Sequence, residues 1–545
     1  MRTLRSVSTL IVAIGMTAPL LAQSAPVVDA PAGKLRGTTA GELNVFKGIP
    51  YALPPVGANR WKLPVAMPAW QGVRDATQFG AACVQPVRKV ASIYADDVGP
   101  ISEDCLFLNV WAPKHAKQAP VFVWIYGGAL TSGASNLGMY DGARLARRGV
   151  VFVSINYRLG ILGFLAHPQL SAESPQKISG NYGLADQIEA LRWIKRNIAA
   201  FGGDPDNVTI AGESAGGLSV MHLMASPPAR GLFAKAIAQS AYMISLAELK
   251  QASHGSSSAE TIGAQLTAAI GAPDLKTLRA MDAVKLVEAS AGTGYFPMNN
   301  VDGHFLTRQV VATFERGEQA KVPVLAGFNE GEIRSLRVLI PPVPTDAATY
   351  EAAIRSRYAD LADDFLKQYP STNLEQSILA ITRDALYSWT AEKLVRSQQA
   401  LGVPGFLYMW DHGYPAADDA GLHAFHASEL PFVFGTIHET APSWPKIPDT
   451  AAEQTLSDAM VDYWTSFAKS AQPQATHQPD WPAYGSTRAY MHFVATPQPQ
   501  THALPGMFEL NDEVVCRRLG QGDQAWHWNV GIVSPPLPAS EECRR

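Results

Sequence analysis

The sequence predicts an α/β protein built on a mostly parallel sheet that is covered by helices on both faces. Short apolar runs rich in β-branched and aromatic residues alternate with segments of helical periodicity. Strands that are apolar along their whole length are typical of parallel sheets buried on both sides. The chain contains no repeat of 20–50 residues and no low-complexity linker, which favours one large domain with long insertions over several domains.

Six segments predict strands, because each is a short apolar run bounded by glycine or polar residues. Residues 181–203 predict a helix, since their apolar positions recur every three or four residues and two glycines follow. A second helix is predicted in AGGLSVMHLMAS, and residues 340–400 predict a helical insertion. The strand segments, in chain order, are APVFVWIYGG, RGVVFVSINYR, DNVTIAG, FAKAIAQS, VPVLAGF and PGFLYMW.

Composition excludes several classes of protein. The 545 residues include 44 Lys and Arg against 48 Asp and Glu, a net charge of −4. Such a balance provides no basic surface for nucleic acid or for an anionic membrane. Hydrophobic residues make up 47% and charged residues 17%, which is ordinary for a globular enzyme and unlike a disordered chain.

The first residues predict an export signal. Two arginines in MRTLRS precede the apolar stretch TLIVAIGMTAPLL and the small residues AQSA, the layout of a secretory signal peptide. We expect cleavage after Ala22, because Pro26 disfavours a cut just before it. Residues 1–22 are therefore predicted to be a signal peptide and residues 23–545 the mature, periplasmic or secreted domain. No later run reaches about 18 apolar residues, so no stable membrane span is expected after the signal.

Four cysteines follow the predicted signal, namely Cys83, Cys105, Cys516 and Cys543. Export makes disulfides possible, and four cysteines allow three connectivities. Pairing of sequence neighbours, Cys83 with Cys105 and Cys516 with Cys543, is the natural interpretation. Their spacing does not suggest a zinc site.

The segment VTIAGESAGG contains the pattern G-x-S-x-G, with Ser214 at its centre. It lies between a predicted strand and a predicted helix, where a nucleophile elbow must lie. Glycines on both sides would remove Cβ atoms that crowd such a sharp turn, and the helix N-terminus would face developing negative charge. An ordinary glycine-rich turn is the alternative, and the strand–turn–helix context favours a nucleophile.

An acyl-transfer enzyme also needs N–H donors aimed at the oxyanion of its tetrahedral intermediate. Gly127, Gly128 and Ala129 follow a predicted strand directly, and small residues let a backbone approach a substrate closely. A further donor is expected from Ala215, the residue after the nucleophile.

Seven stretches between about residues 35 and 470 carry a resemblance to a known family: FKGIPYALPPVGANRW, SEDCLFLNVWAP, WIYGGA, NYRLGILGFL, GNYGLADQIEALRWIKRNIAAFGGDPDNVTIAGESAGG, SPPARGLFAKAIAQS and HASELPFVFG. Through them the sequence resembles the type-B carboxylesterases, which are α/β-hydrolases and include cholinesterases and bacterial carboxylesterases. The resemblance implies an α/β-hydrolase fold, a disulfide between Cys83 and Cys105, and oxyanion donors at Gly128, Ala129 and Ala215, where Ala129 replaces the commoner glycine. It also implies a supporting hydroxyl for the catalytic acid at Ser240.

The catalytic base should be a histidine, whose ordinary pKa lies near working pH. The chain has 13 histidines. The family's base, followed by Glu three residues later and Phe six later, falls on His426, with Glu429 and Phe432.

His423 lies three residues before His426, which raises the question of a metal site. The H-E-x-x-H spacing and a third ligand are missing, so no metal is expected and His423 is interpreted as a polar loop residue.

The acid of the triad should lie between the serine and the histidine, at the end of a strand. The segment VPVLAGFNEGE meets this condition, and it contains both Glu330 and Glu332. The family's register, counted from Gly327 with Asn329 in place, selects Glu332. Gly331 departs from the usual Asp and Ile333 from the usual Gly, so a shorter loop would select Glu330 instead.

The sequence thus predicts an exported serine esterase that acts on a small-molecule ester through Ser214, His426 and Glu332, with an acyl-enzyme intermediate and no cofactor. Lactone or amide hydrolysis at the same site is the alternative within this chemistry. A noncatalytic adhesion or binding protein on the same scaffold is the alternative outside it. Four residues are expected to line the substrate pocket: Leu130, Glu213, Tyr242 and Phe328.

Overall fold

The structure is a computed structural model that describes residues 25–86 and 92–543. The predicted signal, residues 1–22, lies outside these residues. The described strands are β1 (Val27–Ala30), β2 (Gly33–Arg36), β3 (Thr38–Ala40), β4 (Leu43–Pro50), β5 (Val73–Asp75), β6 (Ala82–Cys83), β7 (Ile101–Ser102), β8 (Phe107–Pro113), β9 (Ala119–Ile125), β10 (Val151–Ile155), β11 (Gly203–Glu213), β12 (Lys235–Gln239), β13 (Val324–Asn329), β14 (Gly405–Trp410), β15 (Ala489–Phe493) and β16 (Pro497–Thr501).

The described α-helices are α1 (Ala143–Arg147), α2 (Gly160–Phe164), α3 (Pro168–Glu173), α4 (Tyr182–Asn197), α5 (Ala215–Ala225), α6 (Ala259–Ala269), α7 (Leu275–Ala280), α8 (Ala283–Gly292), α9 (Val310–Glu315), α10 (Ala347–Tyr358), α11 (Ala362–Gln368), α12 (Leu374–Arg383), α13 (Trp389–Ala400), α14 (Pro415–Asp419), α15 (Leu430–Phe434), α16 (Ala451–Ser470) and α17 (Met507–Gln521). A π-helical turn, Asp384–Ser388, joins α12 to α13.

One large sheet organises the molecule. In the described part of the chain its eleven strands run in the order β16, β15, β14, β13, β12, β11, β9, β10, β8, β4, β3. The seven strands from β15 to β10 pair in parallel, and the strands at the two edges pair antiparallel. This is the mostly parallel sheet flanked by helices of an α/β-hydrolase, as the sequence predicts.

All six predicted strands are present, as β9 to β14, and the predicted helices are α4 and α5. Their apolar runs form the core: every residue of β10, β12, β13 and β14 is buried. Helix α4 continues into a short 3₁₀ turn that ends at Gly202, whose φ of +83° is a conformation that favours glycine. The predicted helical insertion between residues 340 and 400 comprises α10 to α13.

Two disulfides join the predicted cysteine pairs, Cys83 with Cys105 and Cys516 with Cys543. Both cysteines of the first pair are buried. Among the described residues, no helix combines the length and the apolar composition that crossing a bilayer requires.

Candidate active site

Ser214 occupies the sharp turn between the end of β11 and the start of α5. Its backbone has φ 56° and ψ −123°, a conformation that a non-glycine residue rarely adopts and that is characteristic of a nucleophile elbow. Its N–H donates to the carbonyl of Gln239 at 3.0 Å, and its own carbonyl accepts from the N–H of Leu218 at 2.8 Å. The strain is therefore held by the neighbouring strand β12 and by the first turn of α5.

The turn around Ser214 leaves no room for a side chain at Gly212 or Gly216. A Cβ at Gly212 would lie 2.5 Å from the backbone of Gly216, and one at Gly216 would lie 2.0 Å from the carbonyl oxygen of Ile125. Real Cβ atoms do not approach other atoms so closely. The steric role that the sequence suggests for these glycines is present in the structure.

The loop after β9 brings backbone amides next to the elbow. Gly128 has φ +106°, and Ala129 and Leu130 both have φ 56°. A Cβ at Gly128 would lie 2.1 Å from the carbonyl of Ser132, whereas one at Gly127 would lie 3.0 Å from the Cβ of Ser214. Within the described part of the chain, the amides of Gly128 and Ala129 donate no hydrogen bond. The amide of Ala215 opens helix α5, where it has no intrahelical acceptor.

Of the two glutamates after β13, only Glu332 contacts a histidine. Its carboxylate accepts a hydrogen bond from Nδ1 of His426 and another from the N–H of Asn329 at 2.9 Å. Glu332 is fully buried. Glu330 faces the other way and pairs with Arg383 at 3.1 Å and Arg334 at 3.4 Å.

Hydrogen bonds connect the loop after β13, which carries Glu332, to the loop after β14, which carries His426. The side-chain amide of Asn329 donates to the carbonyl of Phe425 at 2.8 Å and to Glu429 at 2.7 Å. The N–H of Gly331 donates to the carbonyl of Ala424 at 2.9 Å. A Cβ at Gly331 would lie 2.9 Å from that same carbonyl oxygen, so the unusual glycine at this position allows the two loops to touch.

A second carboxylate lies on the other side of the imidazole. Oε1 of Glu213 is 3.1 Å from Nε2 of His426, and Glu429 is buried nearby. Burial by itself lowers the pKa of His426, but the charges of Glu213, Glu332 and Glu429 outweigh it and raise that pKa above its ordinary value. Burial raises the pKa of Glu213 to about 8 and that of Glu429 to about 7.

These residues open onto a cavity of about 770 Å³, a volume typical of a small-molecule site. Most of its lining is apolar or aromatic. Asp96 and Asp97 add negative charge, and no lysine or arginine lines it among the described residues. The lining includes Tyr94, Gly127, Gly128, Ala129, Met139, Tyr140, Glu213, Ser214, Tyr242, Phe296, Leu336, Leu339, Tyr387, His426, Leu430, Trp444 and Trp528.

Two of the four predicted pocket residues, Glu213 and Tyr242, line this cavity, and the other two do not. Leu130 lies in the hydrophobic core with 1% of its surface exposed, because the left-handed backbone at this position turns its side chain inward. Phe328 is also in the core. Successive side chains of a strand point to opposite faces, so Phe328 points away from the histidine loop that its neighbour Asn329 contacts. Leu130 and Phe328 are not among the residues that line this cavity.

The hydroxyl of Ser240, which is expected to support the acid, makes no hydrogen bond to Glu332. Its oxygen is buried and has no hydrogen-bond partner among the described residues. Glu332 is held by the backbone of Asn329 instead. Glu429, which serves in the sequence only as a spacing marker, accepts a hydrogen bond from the side chain of the same Asn329; its position three residues after His426 is the available signal.

His423 turns away from His426. Its Nδ1 lies 2.7 Å from Asp418 and its Nε2 lies 3.1 Å from Asp411, which also contacts His492 at 2.9 Å. In the described ranges, no group of three or more His, Cys, Asp or Glu side chains is placed to hold a metal ion.

Comparison with known proteins decides the family. A family model described as the carboxylesterase family matches residues 24–505. The chain belongs to the carboxylesterase family. This carboxylesterase is 37% identical to the para-nitrobenzyl esterase of Bacillus subtilis (strain 168) over 467 residues, which cover 84% of its chain and 92% of that relative. It is 35% identical to the fumonisin B1 esterase of Sphingopyxis macrogoltabida over 472 residues, covering 83% and 84%.

Solved structures agree with the assignment. The carboxylesterase resembles a PNB esterase with a TM-score of 0.76 and 34% identity, covering 87% of its own chain and 97% of the other. It resembles a Geobacillus stearothermophilus carboxylesterase with a TM-score of 0.74 and 32% identity, covering 89% and 99%. These identities are high enough to show that the protein shares both the α/β-hydrolase fold and the esterase activity of this family.

Proposed function

We propose that this carboxylesterase hydrolyses small-molecule carboxylic esters with Ser214 as the nucleophile, His426 as the general base and Glu332 as the acid that orients the histidine. The observation that carries the proposal is the hydrogen bond between Nδ1 of His426 and the buried carboxylate of Glu332. It favours the tautomer in which Nε2 carries the lone pair that accepts a proton, on the side of the ring that faces Glu213. His426 and Ser214 line the same cavity.

The chemistry follows from this arrangement. His426 removes the proton of Ser214 as its oxygen attacks the ester carbonyl, and the resulting oxyanion accepts hydrogen bonds from the amides of Gly128, Ala129 and Ala215. His426 then protonates the departing alcohol, which leaves an acyl-enzyme. A water molecule activated by the same histidine attacks the acyl-enzyme and releases the carboxylic acid. The unused amides of the loop after β9 support this role for Gly128 and Ala129.

The test of the triad is the Ser214→Ala variant with p-nitrophenyl butyrate as substrate. We expect kcat/KM to fall at least ~10³-fold, because the nucleophile and its partners act as a unit. Ser356→Ala, an exposed serine of α10, controls for expression and folding. A fluorophosphonate probe followed by peptide mass spectrometry should label Ser214, and labelling of another residue or retained turnover would refute the assignment.

The alternatives at this site are separated by a substrate screen. Esters, lactones and amides of matched size should be compared at equal concentration, with para-nitrobenzyl esters and fumonisin B1 included because two relatives carry those names. Preference for esters supports the proposal, whereas preference for lactones or amides would redirect it within acyl transfer. Absence of turnover in every class would favour a binding protein.

We also infer that residues 1–22 direct export and that residues 23–545 are one mature domain in the periplasm or medium. The two disulfides are consistent with an oxidising compartment. N-terminal sequencing of the protein recovered from each cell fraction tests this. Residue 23 as the first residue of exported protein is the expected result, and an intact Met1 in the cytosol would contradict it.

A further inference from the structure

Two tyrosines form part of the cavity wall beside the proposed triad without belonging to it. Tyr242 follows β12, and Tyr387 lies in the π-helical turn between α12 and α13. The two rings lie edge to face with centroids 5.9 Å apart, and the ring of Tyr387 is 5.3 Å from that of His426. The pair is therefore next to the place where a bound ester reacts.

Hydrogen bonds anchor the backbone next to each tyrosine. The N–H of Met243, next to Tyr242, donates to the hydroxyl of Thr390 on α13 at 2.8 Å. Asp384, at the start of the π-helical turn, accepts from Arg383 at 2.7 Å and from Ser388 at 2.9 Å. π-Helical turns are frequent at functional sites, and this one directs Tyr387 into the cavity.

The hydroxyls of the two tyrosines differ from those of three other buried tyrosines. Tyr51, Tyr157 and Tyr350 each donate to a backbone carbonyl at 2.8 Å. Tyr242 and Tyr387 are more than nine-tenths buried, line the cavity, and make no hydrogen bond to any described residue. A buried polar group is normally satisfied, so these two hydroxyls are available to a ligand.

The charge around the pair selects the kind of ligand. Burial, and then the negative charge of nearby Glu213, raise the pKa of Tyr242; burial and the charges of Glu332 and Glu213 raise that of Tyr387. Both hydroxyls therefore stay protonated and can donate. The carboxylate of Glu332 near Tyr387, with Asp96 on the cavity wall, opposes a negatively charged group at this position. An uncharged oxygen is the matching acceptor.

We propose that Tyr242 and Tyr387 form a donor subsite for a second, uncharged oxygen acceptor on the ester substrate, a carbonyl or ether oxygen a few bonds from the scissile bond. The inference rests on the proposed function, because it locates the reacting ester at Ser214 and His426. It makes the two tyrosines specificity-determining residues, and it predicts oxygenated esters as the preferred class over plain alkyl esters.

The experiment compares substrates that differ only in the acceptor, with ester hydrolysis followed in a pH-stat. Methyl hexanoate is compared with methyl 4-methoxybutanoate and methyl 5-oxohexanoate, which place the oxygen on the acyl side. Butyl acetate is compared with 2-methoxyethyl acetate, which places it on the alcohol side. Monomethyl glutarate provides an anionic acceptor. The measured quantity is the ratio of kcat/KM for the oxygenated ester to that for its alkyl partner.

In the unaltered enzyme we expect this ratio to be about 3–10 on one side of the ester, the size of one or two neutral hydrogen bonds, and monomethyl glutarate to be the poorest acyl-side substrate. Tyr242→Phe and Tyr387→Phe should each lower the ratio, and the double variant should bring it to about one. Tyr350→Phe is the matched control. Its hydroxyl donates to the carbonyl of Tyr369 at 2.8 Å, and Tyr350 is not part of the cavity lining, so its loss should leave the ratio unchanged.

The outcomes separate the two proposals. An equal ratio in the unaltered enzyme and the double Phe variant, with the alkyl esters still hydrolysed through Ser214, overturns the donor subsite alone. A preference for monomethyl glutarate overturns the requirement for an uncharged acceptor. Failure to hydrolyse any of the esters overturns the proposed function and the subsite with it. Because the readout is a ratio within one protein, partial loss of folded enzyme does not change it.

Discussion

Gly331 lies between two glutamates that have the same charge and very different surroundings. Its small size lets the loop after β13 touch the loop after β14, with Gly331 donating to the carbonyl of Ala424. The contact directs Glu332 inward to His426 and leaves Glu330 outside with Arg334 and Arg383. The glycine at position 331 therefore permits the loop contact that places Glu332 beside His426, whereas Glu330 forms ion pairs with Arg334 and Arg383.

The glutamate pair provides a matched test. Glu332→Gln should lower kcat by ~10²–10⁴-fold, because an amide cannot stabilise the imidazolium and can hold the wrong tautomer. Glu330→Gln removes two partly buried ion pairs, with Arg334 and Arg383, that do not contact His426, and it should change kcat less than about 3-fold. Steady-state kinetics with p-nitrophenyl butyrate measures both. The reverse order of effects would keep the enzyme class and make Glu330 the acid.

Glu213 should help to raise the pH at which the enzyme becomes active. His426 works as a base only when neutral, and the surrounding carboxylates, Glu213 among them, raise its pKa, so the ascending limb of kcat/KM should lie above the ordinary imidazole value of about 6.5. Glu213→Gln removes one of these charges. The limb should then move to lower pH by on the order of one unit.

The measurement is kcat/KM from pH 5.5 to 10 for the unaltered enzyme, Glu213→Gln and Glu330→Gln. The last variant controls for loss of a carboxylate that is not among those raising the pKa of His426, and it should leave the limb where it is. An ascending limb that Glu213→Gln does not move would show that Glu213 has no electrostatic influence on the base.

At the scale of elements, the histidine loop between β14 and α15 is anchored at a second point. His423 has a left-handed backbone with φ 50°, and its ring bridges Asp411, just after β14, and Asp418 of α14. Its hydrogen bond to Asp411 is the largest influence raising the pKa of His423, to about 9, with Asp418 adding to it against burial. Protonated His423 therefore fastens the loop that carries His426.

This anchor gives a pH-dependent stability with a definite sign. Because the pKa of His423 is higher in the folded than in the unfolded chain, its contribution is fully present below about pH 6.5 and is lost as the pH rises through about 9. His423→Gln should lower Tm by on the order of 1 °C at pH 6, since the ring is partly exposed, and by nothing measurable at pH 10.

Differential scanning fluorimetry at both pH values measures the effect. His438→Gln is the matched control, since His438 is exposed and lies 3.5 Å from a single exposed aspartate, Asp449. An equal loss of Tm at both pH values would mean that His423 acts through packing and not through its charge.

The same scale shows which elements could be predicted from sequence. Strands β9 to β14 were predicted because both of their faces are buried, so their apolar runs are continuous. The short edge strands, such as β3 and β16, are mostly exposed and lack that signal. The π-helical turn that carries Tyr387 was not predicted either, because it interrupts a pattern that otherwise continues from α12 into α13.

The site was predictable where chemistry depends on order along the chain, and not where it depends on which way a side chain points. The motif around Ser214 and the strand before Glu332 were visible in sequence. The inward turn of Leu130 and the contact between Glu213 and His426 depend on backbone angles and on loops more than 200 residues apart. The spacing of residues along the chain therefore cannot predict the burial of Leu130 or the contact between Glu213 and His426.

At the scale of the whole molecule, the two disulfides have different relations to the cavity. The segment closed by Cys83 and Cys105 contributes Gln85, Tyr94, Asp96 and Ile101 to the cavity wall. The bond between Cys516 and Cys543 closes a segment of similar length that includes the end of α17, and of that segment only Trp528 reaches the cavity. The first disulfide should therefore matter for both stability and substrate binding, the second mainly for stability.

Replacing each pair by alanine tests this difference. Loops of 22 and 27 residues should each stabilise the fold by roughly 3 kcal/mol, so each double variant should lose on the order of 3 °C in Tm. Cys83→Ala with Cys105→Ala should also raise KM for p-nitrophenyl butyrate by at least about 3-fold, because the cavity wall gains conformations that must be lost on binding. Cys516→Ala with Cys543→Ala should leave KM within about 2-fold. Equal KM values in the two variants, with equal losses of Tm, would mean that the wall is held by packing alone and that the first disulfide serves only global stability.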